Sequence, residues 1–138
     1  MAEPDFLGCT PCLFVRDPKG SALFYRDTLG FPDVELFGPP DAPFFAIVRR
    51  GRAQIFLRFT RDGYGERPWV PDRDEALFDA YIGVTDVAAL RAEFAARGLA
   101  TDPPVDRPYG MREIAVTDPD GYVVVFGQDI EGRSVAEP

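Results

Sequence analysis

The side chains of this sequence that could do chemistry are two thiols, a few arginines placed in strands, and a set of aromatics. Cys9 and Cys12 form a C-x-x-C, a spacing shared by redox and metal motifs. A redox pair normally opens a helix, whose N-terminus lowers the thiol pKa. Here Cys9-Thr10-Pro11-Cys12-Leu13-Phe14-Val15 runs into a β-type stretch. Cys12, Phe14 and Arg16 would share one face of a strand and Leu13 and Val15 the other. No second cysteine pair completes a zinc site, so the thiols read as buried or incidental. Arg49, Arg58 and Arg112 lie in or beside strand segments. A guanidinium in a cavity would hold a carboxylate or phosphate by two parallel bonds; on a solvated strand face it would form a salt bridge. Tyr109, Phe44, Phe56 and Trp69 are aromatic candidates for a cavity wall or an interface, with packing as the alternative role for each. Glu113 adjoins Arg112, but neighbours in a strand point to opposite faces, so the two are not a pair.

What is missing narrows the chemistry further. The chain of 138 residues has no histidine, the commonest metal ligand and the usual general base near neutral pH. A Ser-His-Asp or Cys-His arrangement is excluded, and so is any His-ligated zinc or iron site. An enzyme built from these residues would rely on Asp, Glu, Tyr, Arg or the single lysine, Lys19.

The elements that must position these groups repeat. A strand is expected over Gly8 to Arg16. Asp17 then reads as an N-cap and Pro18 as the first helical residue. Ala22, Tyr25 and Leu29 form an apolar stripe, and Gly30 ends the helix. Strands are expected over Phe31 to Phe37, Phe44 to Arg49 and Ala53 to Phe59, the last two joined by Arg50-Gly51-Arg52 as a hairpin. A Pro- and Gly-rich loop carrying Trp69 follows. The pattern then restarts with a strand over Phe78 to Val84, an N-cap at Asp86 and a helix striped by Val87, Leu90 and Phe94. A proline-rich stretch precedes strands over Ile114 to Thr117 and Tyr122 to Gln128, joined by the turn Asp118-Pro119-Asp120-Gly121. Val15-Arg16-Asp17 and Val84-Thr85-Asp86 mark equivalent points 69 residues apart, a duplication at half-length. The expected organisation is a single domain over 1–138, with modules at about 7–60 and 78–130 joined by a loop at 61–77.

Composition fits one globular domain, with 46% hydrophobic and 28% charged residues. No apolar run approaches the ~20 residues of a membrane span. The N-terminus, with Glu3 and Asp5, lacks a basic region followed by an apolar run, so no secretory signal and a cytoplasmic location are expected. A net charge of -8 repels phosphate backbones and argues against nucleic acid as a partner.

Two segments resemble the vicinal oxygen chelate superfamily, which includes glyoxalase I, bleomycin-resistance proteins and extradiol dioxygenases. One runs from Val15-Arg16-Asp17 through Ser21 and Phe24-Tyr25 to Leu29-Gly30-Phe31. The other runs from Tyr109-Gly110-Met111-Arg112-Glu113 to Asp118-Pro119-Asp120-Gly121-Tyr122 and Phe126. The resemblance implies an α+β fold of two paired βαβββ modules, with curved mixed sheets around a cavity that a second copy of the chain completes. It implies four metal positions on the cavity strands. Counted onto this sequence they are Thr10, seven before Asp17; Phe56; Ala80, six before Asp86; and Val125, three after Tyr122. Phenylalanine, alanine and valine cannot ligate such a cation. The resemblance therefore points to the metal-free, bleomycin-resistance-like branch, with no cofactor and a homodimer sequestering an antibiotic or metabolite. It places Tyr109 and Phe44 at groove aromatics. The alternative is a metal-independent lyase or isomerase on the same fold, using Tyr109, Glu113 or an arginine.

Overall fold

Asp17 and Asp86 organise the chain at two equivalent points. Each caps a ten-residue helix by accepting a backbone N–H three residues on, Asp17 from Gly20 at 3.1 Å and Asp86 from Ala89 at 3.0 Å. In the computed structural model, which describes residues 3–61 and 78–132, the first module is β1 (Cys12–Val15), α1 (Pro18–Asp27), β2 (Asp33–Phe37), β3 (Phe45–Arg50) and β4 (Ala53–Phe59). The second is β5 (Ala80–Gly83), α2 (Val87–Ala96), β6 (Val105–Asp106), β7 (Met111–Thr117) and β8 (Val123–Asp129). Their sheets have the same order, β1-β4-β3-β2 and β5-β8-β7-β6, each with one parallel pair, β1 with β4 and β5 with β8. The architecture is α+β, two four-stranded mixed sheets with one helix each. Among the described residues no helix is long and apolar enough to cross a membrane.

Each helix covers one face of its sheet. Ala22 and Tyr25 of α1 are buried with Leu13, Val15, Ala46, Val48, Ile55 and Leu57, the alternate residues of β1, β3 and β4. Tyr25 meets Phe24 and Phe31 edge-on, with centroids 5.7 and 5.6 Å away. In the second module Val87, Leu90 and Phe94 of α2 are buried with Ile114, Val116, Val124 and Phe126, and Phe94 meets Phe126 at 5.3 Å.

A polar seam joins the modules. The buried Tyr25 hydroxyl donates to Asp118 Oδ2 (2.7 Å), and Ser21 Oγ donates to Asp120 (2.5 Å). Burial beside this carboxylate pushes the Tyr25 phenol far above its usual range, and burial also raises Asp118. Asp118 Oδ1 accepts from the Asp120 and Tyr122 N–H groups at 2.9 Å each, which closes the turn. Arg50 grips both oxygens of Glu93 on α2 (2.7 and 2.8 Å) and also donates to the Leu29 carbonyl.

Several expectations change, among them the start of β7 at Met111 rather than Ile114 and the place of Arg50 inside β3 rather than in the turn. The first strand begins at Cys12 rather than Gly8, because Pro11 has no N–H to give a ladder; its carbonyl still accepts from Phe56. The proline-rich stretch contributes a short strand, β6, paired with β7. Cys9 and Cys12 are exposed rather than buried.

Candidate ligand-binding faces

The side of each sheet away from its helix carries Arg49, Phe56 and Arg58 of the candidate site residues, and Tyr109 reaches it from the turn before β7. In the first sheet the register lays them out in rows. One row is Phe37, Phe45, Arg58 and Phe14, and the next is Glu35, Ile47, Phe56 and Cys12. A third row holds Asp33, Arg49 and Gln54. Phe45 stacks obliquely on Phe37 at 5.7 Å and on Phe56 at 5.2 Å, making a continuous aromatic strip. Phe56 thus lies on the open face. Phe44 does not share it, because alternation along β3 gives that face to Phe45, opposite the buried Ala46. Phe44 stands just before the strand with its ring over Gly38, where a Cβ would strike it.

The third row is polar and internally paired. Arg49 donates to Glu35 (2.5 Å), Asp33 (3.2 Å) and Gln54 (2.7 Å), and Gln54 Nε2 donates to Thr10 Oγ1 (2.9 Å). Hydrogen bonding to Glu35 raises the Arg49 pKa further above its usual value. Two carboxylates already share its guanidinium. A cleft of about 310 Å³ opens beside it, lined by Thr10, Gln54 and Arg52 together with Leu7 and Cys9. Arg58 is exposed on the open face between Phe14 and Phe45.

The second sheet is different in chemistry. Its rows are Ala115, Val125 and Tyr81, then Val105, Glu113, Gly127 and Gly83. The Glu113 side chain is 7% exposed. Its Oε2 accepts from the hydroxyls of Tyr81 (2.8 Å) and Tyr109 (2.6 Å), and its Oε1 accepts from Arg107 Nε (3.1 Å). Both phenols are pushed above their ordinary value, Tyr81 first by burial and Tyr109 first by its bond to Glu113. The Tyr81 hydroxyl lies over Gly127, where any Cβ would collide with it. Phe78 stacks on Tyr81 at 5.4 Å. Arg112 faces the other way and binds Asp106 by two bonds (2.7 and 3.1 Å). Trp69 lies outside the described residues.

The four positions counted as metal sites can now be placed. Phe56 and Val125 occupy equivalent register positions, opposite Cys12 and Tyr81. Thr10 already accepts from Gln54. Ala80 is displaced by one residue: it pairs with Val124 and is buried on the helix side. The counterpart of Thr10 at the 69-residue offset is Asp79, whose carboxylate accepts from the Val123 N–H at 2.8 Å. A hydroxyl, a phenyl ring, one carboxylate bound to backbone and an isopropyl group do not make a donor set for a transition metal.

Sequence reading missed Tyr81 and Arg107. Their partner Glu113 was a candidate on its own, beside Tyr109, but not as the centre of a cluster, because the cluster draws on β5, β7 and the turn before β7. The duplication itself held the signal: Tyr81 stands 69 residues after Cys12, on the same face.

Comparisons with known proteins bear on this arrangement. A profile of the Glyoxalase/Bleomycin resistance protein/Dioxygenase superfamily matches residues 8–126. No curated protein matches the chain. A crystal structure of the bleomycin-binding protein from bleomycin-producing Streptomyces verticillus, complexed with copper(II)-bleomycin, is similar at 30% identity and a TM-score of 0.66, over 90% of this chain and 97% of that one. A glyoxalase-related enzyme from Clostridium phytofermentans aligns at 15% identity and a TM-score of 0.69, over 88% and 94%. TioX from Micromonospora sp. ML1 aligns at 23% identity and a TM-score of 0.65, over 87% and 96%.

Proposed function

The chain belongs to the Glyoxalase/Bleomycin resistance protein/Dioxygenase superfamily, and on that premise we propose that it is a metal-free protein that binds and sequesters a small molecule, an antibiotic or a related metabolite, as a homodimer. The observation that carries the reading is the pair of open sheet faces. Each presents aromatic rings, and the positions that the resemblance counts as metal sites hold Thr10, Phe56, Ala80 and Val125, with Asp79 the register counterpart of Thr10. A ligand pocket is concave and mostly apolar, with a few polar groups that orient the ligand. Each sheet supplies one such wall, and Phe37, Tyr81 and Tyr109 are 38, 36 and 48% exposed on it. A second copy facing these walls would enclose the ligand. Phe45, Phe56 and Tyr109 would stack on it, and Arg58 would stand free to contact it. Arg49 and Arg112 are engaged by carboxylates. The similarity to a bleomycin-binding protein over nearly the whole of both chains supports an amphipathic, planar-ringed ligand class.

The test is a thermal-shift screen of the purified chain against bleomycin and a panel of antibiotics and aromatic metabolites. A ligand present at about 100 times its Kd adds about 2.7 kcal/mol of apparent stability. The expected result is a raised Tm with at least one compound, which mass spectrometry recovers unchanged after incubation. Turnover of the hit, or one transition metal per chain by elemental analysis, would defeat the sequestration reading. Light scattering should give the mass of a dimer at micromolar concentration.

A further inference from the structure

The Glu113 cluster is a polar arrangement built around a buried carboxylate on the second sheet's open face, and its hydrogen bonds constrain what can bind there. A phenol has one hydrogen to donate. Tyr81 and Tyr109 both direct theirs to Glu113 Oε2, and Arg107 Nε is directed to Oε1. An incoming group therefore meets two phenol oxygens with lone pairs only and the faces of three rings, Phe78, Tyr81 and Tyr109, while the one guanidinium of the cluster, Arg107, is already bonded to the far oxygen of Glu113 and is 18% exposed. Phe78 and Tyr109 are 47 and 48% exposed, while the carboxylate that orients the phenols is buried beneath them. Gly127 leaves the floor under Tyr81 without a side chain.

We propose that Phe78, Tyr81 and Tyr109, held in place by Glu113, form an aromatic subsite for an organic cation, an alkylammonium or a guanidinium borne on the ligand. The cation lies against the negative faces of the rings and donates to the phenol oxygens, which the carboxylate polarises. An anion finds no phenol hydrogen to accept, and the chain's net charge of -8 repels it further. The subsite rests on the small-molecule reading above and specifies which end of the ligand the second sheet holds.

Three ligands that share an indole ring and differ in the head group test it: tryptamine (cation), tryptophol (neutral) and indole-3-acetate (anion), titrated by NMR into the full chain at neutral pH. Tryptamine is expected to bind about tenfold more tightly than tryptophol, the order of one cation–π contact, with indole-3-acetate weakest. Glu113→Gln, which keeps the shape and removes the charge, should bring tryptamine within about twofold of tryptophol. Tyr109→Ala, at an exposed position, should weaken tryptamine with the fold intact by circular dichroism. Indole-3-acetate binding as well as tryptamine, no binding of tryptamine, or a cation preference unchanged in Glu113→Gln overturns the subsite. A screen hit whose thermal shift survives both variants also overturns it and leaves the sequestration reading standing. Failure of the whole screen would strike that reading instead.

Discussion

The two open faces share one backbone plan and carry different chemistry. Row for row, Phe37, Phe45, Arg58 and Phe14 of the first sheet match Val105, Glu113, Gly127 and Gly83 of the second. Where the first sheet stacks rings side by side, the second has replaced a ring by a carboxylate and an arginine by a glycine. The glycine makes room for Tyr81 to lie across the sheet and reach that carboxylate. A duplicated fold thus kept its register, which the hydrophobic pattern of the helix side enforces, while the opposite face was free to diverge. The first sheet offers an apolar wall and the second a polar anchor.

The comparison can be broken most sharply at Phe45, the centre of the aromatic strip. Phe45→Ala removes its contacts with Phe37 and Phe56. Because the ring is half-buried, the expected loss is about 2 kcal/mol, below the usual range for a core phenylalanine, read by urea unfolding at fixed protein concentration. Equivalent register positions give a second test. Gly127→Ala should displace Tyr81 from Glu113 and cost about 1–2 kcal/mol, the worth of one charge-assisted bond and its geometry. Arg58→Ala, at the matching position of the first sheet, should stay within about 0.5 kcal/mol. Equal costs would mean that Gly127 is not kept clear for Tyr81. The finest distinction is titration. The Tyr109 phenol holds its proton above the ordinary 10.0 because of its bond to Glu113. A group with a raised folded pKa contributes stability below its unfolded value, and that contribution is lost as pH rises through the folded one. Glu113→Gln should therefore bring the alkaline absorbance transition of Tyr109 down toward 10 and flatten the loss of stability above that pH.

Much of the architecture was legible because it rests on local signals. Asp17 with Pro18 and Asp86 with its apolar stripe set both helices, and Ala53 to Phe59 alternates as a half-buried strand should. The paired modules were legible in the repeat of the capping aspartates. The short strand at Val105–Asp106 was not, since its two residues pair only through β7 and sit among prolines. Ala80 was misplaced by counting six residues back from Asp86 where the first module uses seven; a slip of one moves a side chain through the sheet. Phe44 was preferred over Phe45 on the resemblance, whereas alternation along β3 gives the open face to Phe45. The Glu113 cluster was legible only in part, as the separate candidates Tyr109 and Glu113. Its donors are 4, 6 and 32 residues distant from it in sequence, and only tertiary packing brings them to one carboxylate.

The seam has a last consequence, for the border of the first sheet. β1 is an edge strand, and an exposed edge is a template for another chain's strand. The Tyr122 hydroxyl donates to the Phe14 carbonyl at 2.7 Å and accepts from the Phe14 N–H at 3.2 Å. A side chain of the second module thereby occupies both the donor and the acceptor that an invading strand would need at that point. The guard on the first sheet's border is supplied by the other half of the chain, so any event that parts the modules uncovers an adhesive strand at the same moment.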